Sequence, residues 1–202
     1  MDEKVPCRDC GKLILTTTAA CNDGLCMPCK GGYRANIEAG KVRAQAHKRY
    51  LASPQARYWE ALVQRVYDDG AGFAGLSLAE QQYYAVSVLV GEVYNGGFDQ
   101  YFGNSSGEHY ANACAGLREL GAVQTLALLE EAKHALFADA PVPSDQGQRQ
   151  LQMPTYTDPP DEVCSATLDA LDTRFYADSE QLDARLLAHA RRHALFEVED
   201  DA

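Results

Sequence analysis

Two C-x-x-C pairs, Cys7/Cys10 and Cys26/Cys29, stand fifteen residues apart near the start of this 202-residue chain. Each pair places two thiolates on one tight turn, and four thiolates satisfy a tetrahedral Zn²⁺ with no position left for water. Gly11 and the Gly31-Gly32 pair relieve the backbone after each turn. Between the pairs, Leu13-Ile14-Leu15-Thr16-Thr17-Thr18 is β-prone and Asn22-Asp23-Gly24 is a turn signal. The spacing therefore predicts a structural zinc ribbon over residues 1–33, with Cys7, Cys10, Cys26 and Cys29 as ligands. Cys21 is a fifth thiol without a C-x-x-C partner and stays outside the ligand set. The competing reading is a set of reduced, unmetallated cysteines; a redox dithiol lacks the βαβ pattern that would surround it.

The remaining residues with chemical potential assemble less well. His109 and Cys114 are five apart on an expected helix and so face different directions. His189 and His193 stand at i, i+4, but Arg191 and Arg192 lie between them and the glutamate of an H-E-x-x-H motif is missing. Both continue the apolar Leu182–Leu186 face, so they are expected to be partly packed. Asn95, Asp99, Gln100 and Asn104 cluster in a glycine-rich stretch with no nucleophile–base pair, phosphate loop or open metal site beside them. No catalytic residue is assigned, and an enzyme is the weakest of the functional alternatives.

The elements that must position these residues are mainly helical. Residues 34–52 form a basic helix, and Ser53-Pro54 starts another that carries Tyr58, Trp59, Leu62, Val63 and Val66 at helical spacing. Ser77-Leu78-Ala79-Glu80 is a capping box, followed by the stripe Val86, Leu89, Val90 and Val93. That helix should stop near Asn95, with Gly96 or Gly97 at positive φ and Phe98, Tyr101 and Phe102 anchoring the turn. Two more helices are expected over 108–120 and 123–137, then a loop over 140–147. Cys164, Leu168, Leu171 and Phe175 define the next helix, whose Asp161, Glu162, Asp169 and Asp172 fall off the apolar stripe and should face out. A last helix carries Leu182, Leu186 and Ala190 before an acidic end at Glu197, Glu199, Asp200 and Asp201. The expected fold is mainly α: a small β zinc ribbon (1–33), a basic helical linker (34–53) and a compact, acidic all-α domain (54–202).

Charge divides along the same line. The net charge of −11 splits into +4 over residues 1–53 (nine Lys/Arg, five Asp/Glu) and −15 over 54–202 (nine against twenty-four). An acidic body repels nucleic acid and attracts basic partners in a salt-dependent way, although acidity also serves solubility alone. No apolar run reaches the roughly 18 residues of a membrane span, and Met1-Asp2-Glu3-Lys4 lacks an apolar signal region. A cytoplasmic protein without membrane contact is the expectation.

The stretch Tyr94-Asn95-Gly96-Gly97-Phe98-Asp99-Gln100-Tyr101-Phe102, followed by Asn104-Ser105-Ser106-Gly107, resembles the signature of a bacterial domain-of-unknown-function family that includes DNA-mimic proteins. The resemblance covers roughly residues 54–196. It implies an all-α fold whose surface carboxylates imitate DNA phosphates, and it implies no catalysis. The geometry permits mimicry: a duplex carries one charge per about 1.7 Å of axis, and acids at every third or fourth helical position lie about 5 Å apart. The expected function is thus a non-enzymatic, acidic protein-interaction module binding a DNA-binding or other basic protein. The alternative is a nucleic-acid-associated adaptor that touches the polymer through its basic, zinc-bearing head. A homodimer is compatible with either.

Overall fold

The computed structural model describes residues 3–68 and 70–197. Asp69, and Glu199, Asp200 and Asp201 of the acidic end, lie outside the described residues. The chain divides into two compact units, Met1–Ala56 and Arg57–Ala202.

In the first unit, β1 (Lys4–Pro6) pairs antiparallel with β2 (Leu13–Leu15), Val5 opposite Ile14. The β-prone run was expected to reach Thr18, but the chain turns at Thr16 into α1 (Thr16–Cys21). Its partner strand has run out by then, since Lys4 already faces Leu15 and only the Thr16 amide finds one more carbonyl, on Glu3. Unpaired backbone then satisfies itself as helix. Asp23 and Gly24 take positive φ in the expected turn, and the second cysteine pair opens the short helix α2 (Met27–Lys30). The basic helix α3 (Arg34–Leu51) buries none of its residues.

The second unit has a proper core. It is reached through α4 (Pro54–Asp68), which opens where the Ser53 hydroxyl accepts from the Ala56 amide. Its centre is α5 (Leu78–Gly103), started by the predicted capping box: the Ser77 side chain accepts from the Glu80 amide and Glu80 reciprocates. Val86, Leu89 and Val93 are fully buried along it. Against α5 pack α6 (Tyr110–Glu119), α8 (Gln146–Gln152), α9 (Glu162–Tyr176) and α10 (Leu182–Arg192), and α7 (Val123–Phe137) closes over α6 and α9. The apolar stripe of α9 (Cys164, Leu168, Leu171, Phe175) is buried as its spacing requires. Helix α8 corrects the sequence reading, which took its first residues as loop; the Asp145 side chain caps it by accepting from the Gln148 amide.

The chain is therefore mainly α, with a small two-stranded sheet beside a cysteine cluster at its N-terminal end. No described helix is long and apolar enough to cross a membrane.

Candidate functional site

The cysteine cluster is built by the two turns. Cys7 follows β1 and Cys26 precedes α2, so the ends of two unrelated local structures bring four thiols together. Sγ atoms of Cys7, Cys10, Cys26 and Cys29 all lie within 4.8 Å of one another, and Cys10 and Cys26 are 3.7 Å apart. The Cys26 amide donates to the Cys7 sulfur at 3.2 Å, and backbone donors, that of Cys10 foremost, lower the Cys7 thiol to about 6. Burial pushes the Cys26 thiol up, but the Arg34 guanidinium, whose Nη2 is 2.9 Å from its sulfur, and the Cys29 backbone bring it down overall. The Cys29 thiol is raised, by hydrogen bonding with Asp9 and by burial. Cys21 is exposed and outside the cluster. Arg34 and Glu38, read from sequence only as helix residues, belong to the surroundings of this site: Glu38 pairs with Lys12 at 3.0 Å and with Lys41 at 3.1 Å, and these cations hold its carboxyl down to about 2.

In the second unit the glycine stretch is a break inside α5. The helical run from Leu78 stops at Asn95, as expected, with Gly97 at positive φ. It is interrupted by Gly96 (φ −162°, ψ 26°) and Gly97 (φ 78°, ψ −178°) and resumes at Phe98 in a new direction. A restarted helix has free amides, and the first of them, on Phe98, donates to Asp172 Oδ1 at 2.9 Å. Asp172, expected to face out from α9, is instead half-buried as the cap of this restart, and burial raises its carboxyl pKa.

The polar residues of the stretch hold each other. Glu92 accepts from Gln100 at 2.6 Å, Asn104 at 3.0 Å and Ser106 at 2.8 Å. Gln100 and Asn104, after the break, reach back to Glu92 before it, and Gly96 leaves Gln100 the room to do so, since a Cβ there would strike its amide. Beyond the break, Arg149 is fully buried and donates to five backbone carbonyls, those of Phe102, Asn104, Ser105, Pro143 and Ser144. Nothing marks Arg149 in a run of glutamines. Phe98, Tyr101 and Phe102 are fully buried anchors. An open hollow of about 410 Å³ lies beside the stretch, lined by Trp59, Tyr67, Tyr84, Glu92, Asn95 and Ser106 among others. Its one carboxylate, Glu92, is the one already occupied by three donors.

Where α5 passes α9, Tyr94 and Tyr176 stack at 5.7 Å and stay about half exposed, 50% and 45%. The Tyr176 hydroxyl donates to the Val93 carbonyl at 3.1 Å, which fixes the pair. Aspartates surround it: beyond the effect of burial, Asp178 and Asp183 raise the Tyr94 pKa, and Asp172 and Asp169 that of Tyr176. Four glutamates elsewhere are paired with arginines, Glu80 with Arg65, Glu119 with Arg192, Glu130 with Arg118 and Glu131 with Arg174. Asp169, Asp172, Asp178 and Asp183 have no ion-pair partner among the described residues.

A family model described as DMP19-like protein matches residues 74–193, from the turn before α5 to the end of α10. The chain belongs to the DMP19-like family. The match takes in the α5 break, Arg149 and the aspartate-ringed tyrosines, and leaves the cysteine-bearing unit outside it. No curated protein and no solved structure matches the chain. His109 lies against Phe73, ring centroids 4.1 Å apart, inside the DMP19-like domain. No described contact joins it to Cys114.

Proposed function

We propose that this chain is a non-enzymatic interaction protein whose DMP19-like domain presents an acidic face to a basic, DNA-binding protein. The family's name, DNA mimic protein 19-like, points to the same role. The observation that carries the reading is a group of aspartates, Asp169, Asp172, Asp178 and Asp183, that stand around two exposed tyrosines with no ion-pair partner among the described residues, whereas Glu80, Glu119, Glu130 and Glu131 are each paired with an arginine. Uncompensated carboxylates supply the field that steers a basic partner, and tyrosine adds rigid contact area at low entropic cost. Against an enzyme stands Glu92, whose carboxylate lies in the hollow but is spent on Gln100, Asn104 and Ser106.

The test is capture of DNA-binding proteins on the immobilised full chain, followed by elution with duplex DNA. A mimic releases its partner to DNA, and raising salt from about 0.1 M to about 1 M, which shortens the screening length from about 10 Å to about 3 Å, does the same. Asp169→Asn with Asp183→Asn should weaken capture several-fold without lowering stability, because neither side chain caps a helix among the described hydrogen bonds. Asp161, Asp172 and Asp178 do accept from backbone amides and are unsuitable for the test. Binding indifferent to salt, to duplex DNA and to the double change would end this reading.

For the first unit the proposal is a structural Zn²⁺ held by Cys7, Cys10, Cys26 and Cys29. Two observations support it. Zn–S bonds of about 2.3 Å at tetrahedral angles set sulfurs about 3.8 Å apart, against 3.7 Å for Cys10 and Cys26. The only apolar side chains buried among the unit's described residues are Cys7 and Cys26 themselves, and a unit of this size without a core needs a staple. Arg34 offsets part of the negative charge of a four-thiolate zinc complex. Cys10→Ser should lower the zinc content of the purified chain by one per molecule, and chelation should melt the signals of Val5 and Leu25 while the helical domain keeps its own transition. Zinc content indifferent to Cys10→Ser would refute it.

A further inference from the structure

The histidines of α10 have a partner that the sequence did not place beside them. Glu119, at the end of α6, joins His189 and His193, and one ligand atom from each lies within 4.8 Å of the others. His189 is 1% exposed. Its Nε2 is 3.0 Å from the Ala79 carbonyl oxygen, a partner that can only accept, so the ring proton sits on Nε2 and Nδ1 carries a lone pair. That Nδ1 is buried and has no hydrogen-bond partner. A histidine fixed by Nε2–H to a carbonyl, with its other nitrogen bare, is the arrangement in which backbone orients an imidazole toward a metal. The His193 ring lies 4.5 Å away, and its Nε2 is 3.8 Å from Glu119 Oε1.

We propose that Glu119, His189 and His193 form a divalent transition-metal site, distinct from the cysteine cluster. Two imidazoles and one carboxylate select Zn²⁺ and its first-row neighbours over Mg²⁺ or Ca²⁺. Three protein ligands leave a tetrahedral position open, and with Glu119 and His193 exposed that position is reachable by water or by a side chain of a bound protein. The objection from sequence was the adjacent arginines. Arg192 does reach Glu119, at 2.7 Å, but its side chain is 58% exposed and both described contacts of the carboxylate fall on Oε1. Oε2 is left for the metal, and Arg192 stays beside it. The site ties the end of α6 to α10, two elements separated by about 60 residues of chain.

The test uses the full chain, stripped of metal and titrated with Co²⁺, then with Zn²⁺. Cobalt on thiolates gives intense charge-transfer bands, whereas cobalt on nitrogen and oxygen adds only ligand-field absorption, so the two sites are read separately. Wild type should bind two equivalents at micromolar free metal. Glu119→Gln and His193→Gln should bind one, with the thiolate bands unchanged and the ligand-field bands reduced. Both positions are exposed, which spares the fold; His189→Ala would empty a fully buried position and is avoided. Wild type and variants binding equal amounts, with or without thiolate bands, would overturn the proposal.

Discussion

Replacing Arg149 with leucine is expected to remove about 4–6 kcal/mol from the stability of the helical domain, a large part of the roughly 5–15 kcal/mol such a domain has. The guanidinium is 0% exposed and donates to the carbonyls of Phe102, Asn104, Ser105, Pro143 and Ser144. Those carbonyls belong to the end of α5, the turn after it and the approach to α8, so one side chain closes the hydrogen bonds of three backbone segments. Each buried acceptor left without a partner costs about 1–3 kcal/mol; leucine offers none of the five a donor, although the Asn104 carbonyl keeps the Gly107 amide. Water can re-enter to meet some of them, which is why the expected loss stays below the simple sum. Arg149→Lys should recover little, because an ammonium is a point with three donors and cannot span what a planar fork of five spans. Urea unfolding of the two variants measures both claims. A loss under about 1 kcal/mol for the leucine variant would mean that the carbonyls are hydrated and that Arg149 is no hub.

The second large effect separates two adjacent glycines. Gly97→Ala should lower stability by about 3–4 kcal/mol and Gly96→Ala by about 1 kcal/mol or less. At Gly97 the φ of 78° costs a residue with a Cβ about 1–2 kcal/mol, and the Cβ would collide with the carboxylate of Asp172. Moving Asp172 strands the Phe98 amide, a charge-assisted bond of about 1.5–3 kcal/mol. At Gly96 the φ of −162° is extended backbone that any residue adopts. There the Cβ meets chiefly the flexible amide end of Gln100, with the Gln100 Cβ at a tight 3.1 Å, and Asn104 and Ser106 still hold Glu92 when the amide swings away. In thermal unfolding the difference should be on the order of 10 °C against about 3 °C. Equal losses at the two positions would show that the break is a generic flexible joint.

Most helices were legible because each is written in nearest neighbours. Ser77 and Glu80 close a capping box within one turn, and Val86, Leu89 and Val93 repeat at the helical period, so no distant residue has to be known. The clustering of four cysteines was legible for a related reason: each of Cys7/Cys10 and Cys26/Cys29 places two thiols on one turn, and the four come within 4.8 Å of one another. Thr16–Thr18 went wrong because strand propensity is realised only with a partner, and β1 is three residues long. Asp172 went wrong because helical periodicity tells which face is apolar, but not that a broken helix elsewhere will need a cap on the other.

What the sequence by itself determined is the class of the molecule: an acidic, mainly helical chain with a four-cysteine head and a glycine break after a long amphipathic helix. These follow from composition and short-range pattern, where the physics is that of a few consecutive residues. The tertiary structure decided which polar groups are spent and which are free. Glu92, Asp172 and Arg149 are consumed in holding the α5 break, while Asp169 and Asp183 beside Tyr94 and Tyr176, and the bare Nδ1 of the buried His189, are left over. Pairing of that kind joins positions tens of residues apart, as Asp172 joins Phe98 across 74 residues. No local pattern encodes such a bond, because its energy exists only once the chain has folded and water has been removed from between the partners.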